Sequence, residues 1–167
     1  MRRTLLTSLI VTSLVVAAGD PAAAVGSWIW PVPGPVVNPF DPPASPYGSG
    51  HRGIDIATPA GTLAVAPAPG VVAFAGPIGG NLFLTLDHGG GLTSTFSWVS
   101  ALLVRRGDVV VAGQPVVLTG WAHPGSALAT LHFGVRLDGV YQDPLAYLSP
   151  IDVTSLIRLA PWPVGMA

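Results

Sequence analysis

Beyond residue 61 the chain is a succession of short apolar runs separated by turn residues, and none is long enough or 3.6-periodic enough to predict a helix. The pattern predicts strands over 62–66, 71–75, 82–86, 92–98, 109–111, 116–119 and 131–137. Their joints are Pro69-Gly70, Gly79-Gly80-Asn81, residues 88–91, Gly107-Asp108, Gly113 and Asp138-Gly139. The last pair stands between Val135-Arg136-Leu137 and Val140-Tyr141, which is a hairpin signal. No segment repeats at a solenoid period. The body of the chain is read as all-β.

Upstream the pattern changes. Residues 25–49 are dense in proline, which forbids a helix or a central strand, yet they carry Trp28, Trp30, Phe40 and Tyr47. So much aromatic surface predicts an extended arm packed on the domain. At the amino terminus Arg2 and Arg3 precede an uncharged stretch over 4–19 and then Ala22, Ala23 and Ala24, the pattern of a cleavable secretory signal. A membrane span needs about 20 predominantly apolar residues, and this stretch contains Thr4, Thr7, Ser8, Thr12 and Ser13. The arginine pair also fits twin-arginine export. The expected organisation is a signal over 1–24, an arm over 25–49, a β domain over 50–148 and a tail over 149–167, with the mature chain working outside the cytoplasm.

Composition narrows the chemistry. The 167 residues include seven Arg and eight Asp but no Lys, Glu or Cys. Without Lys there is no P-loop or Schiff base, without Glu no glutamate-based HExxH peptidase, and without Cys no thiolate nucleophile and no disulfide partner. The net charge is −1 and no basic patch gathers, so no nucleic-acid partner is expected.

What remains is His, Asp and hydroxyl chemistry. His51 and Asp55 lie in Gly50-His51-Arg52-Gly53-Ile54-Asp55, read as a glycine-rich loop before the first strand, and His132 lies on the last long strand. Singly, each reads as a loop polar group or a hydrogen-bonded strand histidine. Together, two imidazoles and a carboxylate make a three-ligand set that suits Zn²⁺ and leaves a fourth position open, as catalytic zinc sites do.

The segment from Gly50 to Ala57, followed by Gly61-Thr62, Val65-Ala66 and Gly70-Val71-Val72, resembles the lysostaphin/LytM-type zinc metallopeptidases. Asp87-His88-Gly89-Gly90-Gly91-Leu92, the run from Arg106 to Gln114, Leu131-His132-Phe133-Gly134-Val135-Arg136 and Asp143-Pro144-Leu145 continue the resemblance in order. It implies an antiparallel β-sheet domain of the duplicated-hybrid-motif type with a groove over the sheet. It also implies a zinc ion on His51, Asp55 and His132, and peptidoglycan peptides as the target.

Two family histidines that flank the reacting water are replaced. Trp98 follows Phe96-Ser97 where the central strand should carry one, and Thr130 stands at the first His of the HxH motif. A general base contributes about 10²- to 10⁴-fold, so hydrolysis is expected to be reduced or rerouted. Thr130, on the same strand face as His132, and His123, in the loop from Gly120 to Gly125, are the candidate catalytic groups. His88 reads as a turn residue. Trp98 is expected to sit over the metal and narrow the groove, Arg52 to meet a peptide carboxylate, and Asn38 of the arm is a candidate fourth ligand. Two functions follow: a secreted zinc peptidase acting weakly on cell-wall peptide, or a non-catalytic peptidoglycan-binding or regulatory module that kept fold and metal. A regulatory partner protein belongs to the second.

Overall fold

The computed structural model describes residues 27–45, 48–121 and 127–150. Its strands are β1 (Val36–Asn38), β2 (Ile54–Ala57), β3 (Leu63–Val65), β4 (Gly70–Ile78), β5 (Asn81–Asp87), β6 (Leu92–Val99), β7 (Ala101–Leu102), β8 (Val109–Val110), β9 (Pro115–Leu118), β10 (Thr130–Leu137) and β11 (Val140–Gln142). The helical element they precede is a single 3₁₀ turn, Pro144–Ala146. The main sheet runs β1-β2-β10-β6-β5-β4-β8, with β11 also paired to β10, and β3-β9-β7 form a smaller sheet. All named pairings are antiparallel. The all-β reading is therefore correct.

Period-2 alternation sorts the main sheet into a core face and an open face. Ile54 and Ile56 of β2, Leu84 and Leu86 of β5, Phe96 of β6, and Leu131, Phe133 and Val135 of β10 are all fully buried. Phe96 and Phe133 meet edge to face at 5.4 Å. Burying each such side chain stabilises the fold by roughly 1.5–3 kcal/mol. The intervening residues, Asp55, Phe83, Thr85, Thr95, Ser97 and His132, belong to the other face.

The strand β2 corrects the sequence reading. His51 and Asp55 do not share a loop ahead of the first strand: Asp55 lies within a four-residue strand between β1 and β10, and is only 2% exposed. The signal was present, since Ile54-Asp55-Ile56 alternates apolar, polar, apolar, but the run is short and follows two glycines. Gly53 is needed there for a packing reason, because a Cβ on it would come within 2.4 Å of the Phe133 carbonyl oxygen and hold β2 off β10.

The arm segment packs as its aromatics suggest. β1 adds an edge strand to β2, where proline is tolerated. Trp28 is buried against His88 and Tyr147, with ring centroids at 4.5 and 5.3 Å, and the Trp30 indole N–H donates to the Ser149 carbonyl at 2.9 Å. Tyr47, the segment over 1–24 and the tail beyond Pro150 lie outside the described residues.

Candidate metal site

β10 positions the site because its two edges are both occupied. On one edge, β2 pairs with its first half, placing His132 directly opposite Asp55, and β11 pairs with its second half, placing Arg136 opposite Tyr141. On the other edge β6 places Ser97 opposite His132. His51 enters just before β2 and is held by a bridge to Asp41.

Three donor atoms converge. Asp55 Oδ1 lies 2.9 Å from His132 Nδ1 and 3.2 Å from His51 Nε2, and the two nitrogens are 3.1 Å apart. Four ligands at zinc distances of 2.0–2.1 Å would be separated by about 3.3 Å along each tetrahedral edge, close to this triangle. The donor chemistry agrees. His51 Nδ1–H donates to the Pro39 carbonyl at 2.8 Å, which leaves the Nε2 lone pair pointing at the carboxylate and the second imidazole. Inward lone pairs beside a carboxylate oxygen call for a cation, so the three residues could hold a metal ion.

Asn38 is not placed as a ligand by its amide oxygen. Its Nδ2 donates to Asp55 Oδ2 at 3.1 Å, orienting the carboxylate so that Oδ1 faces the histidines. Asn38 and the Pro39 carbonyl thus orient Asp55 and His51, a role that the sequence reading assigned to neither. Only the three-dimensional pairing of β1 with β2 reveals that role.

Trp98 takes an unusual place. Leu82 pairs with Val99 and Phe83 with Ser97, so Trp98 is the extra residue of a β-bulge and adopts φ = +54°. The bulge puts two consecutive residues, Ser97 and Trp98, on the groove. The indole meets the His132 ring nearly perpendicularly at 5.3 Å and Phe83 at 5.5 Å, so it packs against the site's histidine. Thr130 is buried at the start of β10, and its Oγ1 has no hydrogen-bond partner among the described residues. His123 lies outside the described residues.

His88 is built into the fold elsewhere. Its Nδ1–H donates to the Pro69 carbonyl and its Nε2 accepts from the Ser94 hydroxyl, both at 2.8 Å. Burial pushes its pKa below the usual histidine value, against smaller opposing effects of the Pro69 bond and Asp87.

A groove of about 490 Å³ opens beside the triad. Phe74, Ile78 and Phe83 from β4 and β5 flank one side, and Arg52, Arg136 and Tyr141 the other, with Thr85, Thr95, Ser97 and Gly134 between. Arg52 borders it, its Nη2 donating to the Gly48 carbonyl at 3.0 Å. Arg136 and Tyr141 were not singled out from sequence, although a two-residue hairpin turn at Asp138-Gly139 already dictates their pairing.

Residues 49–144 match Peptidase family M23. The chain belongs to this family. An uncharacterised Mycobacterium tuberculosis protein is 34% identical over 96% of this chain and 66% of its own length. The murein hydrolase activator NlpD of Salmonella typhimurium is 34% identical over 76% of this chain and 33% of its own. The chain thus spans from a third to two thirds of the length of these curated relatives. Among solved M23 structures, the catalytic domain of the antimicrobial peptidase lysostaphin from Staphylococcus simulans superposes with a TM-score of 0.55 at 25% identity, covering 64% of this chain and 86% of that one.

Proposed function

We propose that this M23 chain is an extracytoplasmic, peptidoglycan-directed protein that holds Zn²⁺ on His51, Asp55 and His132 and engages cell-wall peptide in the adjoining groove, with hydrolysis strongly reduced. The observation that carries this reading is the converged donor triangle beside a groove lined by Trp98, with Thr130 buried two residues before His132 on β10, the two positions where the resemblance calls for histidine bases. Zinc bound there would supply Lewis-acid polarisation of a peptide carbonyl. The chain's own residues supply the rest: Asn38 and Pro39 aim the ligands, Trp98 walls the site at His132, and the two flanks confine a peptide. Neither an indole nor a threonine hydroxyl takes a proton at neutral pH, so these two positions do not supply the base contribution of about 10²- to 10⁴-fold.

The test is to incubate zinc-loaded protein with purified peptidoglycan and read both cosedimentation and release of new peptide ends. The expected result is sedimentation with release near that of a chelated control, and a gain of release in the Trp98→His/Thr130→His double variant. Failure to sediment, or release by the wild type equal to that of the double variant, contradicts the reading. A second reading, a module that stimulates a separate murein hydrolase, is favoured by the name of the Salmonella relative. It is tested by adding the protein to a hydrolase that is slow on peptidoglycan alone.

A further inference from the structure

The open face of β10 carries Thr130, His132, Gly134 and Arg136 in succession. His132 and Arg136 therefore stand about 13 Å apart along one strand, with the side-chain-free Gly134 between them. That is the length of about four extended peptide residues.

The Arg136 end is organised. Register across the hairpin sets Arg136 opposite Tyr141, and Asp138 and Gly139 hold the turn with φ of +50° and +79°. The Arg136 guanidinium lies 4.3 Å from the Tyr141 ring centroid and its Nη2 donates to the Tyr141 hydroxyl. Both contacts fix the fork in place and leave the phenol O–H proton and further guanidinium N–H groups to donate. Arg52 approaches the same ring at 5.8 Å.

Charge on this flank is of one sign. The charged side chains lining the groove, apart from the two histidines, are Arg52 and Arg136. No carboxylate among the described residues lies within ion-pair distance of Arg136, and Asp55 is turned to the histidines. A fixed guanidinium, a phenol donor and a second guanidinium nearby match the two oxygens of a carboxylate.

The geometry points to a carboxylate subsite at Arg136 and Tyr141, reinforced by Arg52, that anchors a peptide running along β10 with its carboxylate about four residues from the His132 end. This rests on the peptide-binding reading of the groove and names the ligand group that sets register within it. The carboxylate can come from a chain terminus or from an acidic side chain.

The test uses the full chain, zinc-loaded, and three amino-terminally dansylated peptides: tetraalanine acid, tetraalanine amide, and the amide with Glu as its last residue. Fluorescence anisotropy should show one or both carboxylate peptides binding roughly tenfold or more tightly than the plain amide. The peptide with the larger gain identifies the source. Arg136→Gln should erase the preference, Arg136→Lys should keep part of it, and both should melt near the wild-type temperature because the side chain is exposed. Cosedimentation with peptidoglycan is measured alongside. Equal affinity for acid and amide peptides in a protein that still sediments overturns the subsite alone. A preference that survives Arg136→Gln also overturns it. Loss of both peptide binding and sedimentation overturns the subsite together with the groove reading.

Discussion

Asp55 and His132 are direct partners across the β2–β10 ladder, with Oδ1 2.9 Å from Nδ1. Residues 77 positions apart are thus set at ligand distance by backbone register rather than by flexible side chains. Two of the three donors are therefore placed by the sheet, and what perturbs the sheet at that point should perturb the site.

Gly53→Ala is the sharpest such perturbation. Its Cβ would meet the Phe133 carbonyl oxygen at 2.4 Å and His132 Nε2 at 3.0 Å. We expect a loss of about 1–3 kcal/mol in stability, as for overpacked cores. Metal affinity should fall as well. Thermal melting and a zinc titration read the two effects, and a variant that melts and binds like wild type would show that β2 can shift without cost.

Asn38→Ala tests the orienting contact to Asp55. Removing the donor to Asp55 Oδ2 should weaken zinc binding by about 10- to 100-fold while leaving the ligand set intact. Competition against a chromophoric chelator measures this. Unchanged affinity would mean that Asp55 needs no aiming.

Much of this was legible in the sequence. The runs over 82–86, 92–98 and 131–137 reappear within β5, β6 and β10, because strict alternation over seven or so residues leaves one face buried and one register allowed. β2 was not read as a strand, since four residues after two glycines give alternation too little length to show. Asn38 was singled out, but as a direct ligand; its role toward Asp55, and that of Pro39 toward His51, arise from a strand pairing and loop placement that local sequence does not encode. The replacements at Trp98 and Thr130 were visible as substitutions, but the bulge that turns Trp98 onto the groove depends on how β5 and β6 pair.

The backbone at Trp98 makes its own prediction. At φ = +54° glycine is favoured over any residue with a Cβ. Trp98→Gly should therefore be more stable than Trp98→Ala by about 1 kcal/mol, the reverse of the order in an ordinary strand interior. Denaturant unfolding of the two variants decides it, and the ordinary order would argue against the bulge.

His88 should make stability pH-dependent. Burial lowers its pKa, so above the ordinary value of 6.5 it is neutral whether folded or not. As pH falls below 6.5 the unfolded chain takes up a proton that the folded chain resists, and stability declines through the window down to the lowered native value. His88→Gln should be less stable at neutral pH by about 1–3 kcal/mol, having lost a buried hydrogen-bonding ring. Its stability should also fall less steeply with acid. Parallel pH curves for variant and wild type would assign the acid sensitivity to other groups.

The three converged donors are expected to act as one metal site. Elemental mass spectrometry of purified protein, dialysed against a weak chelator, should find about one zinc per chain in the wild type and almost none in His132→Ala. No zinc in the wild type, or equal zinc in both, would contradict it.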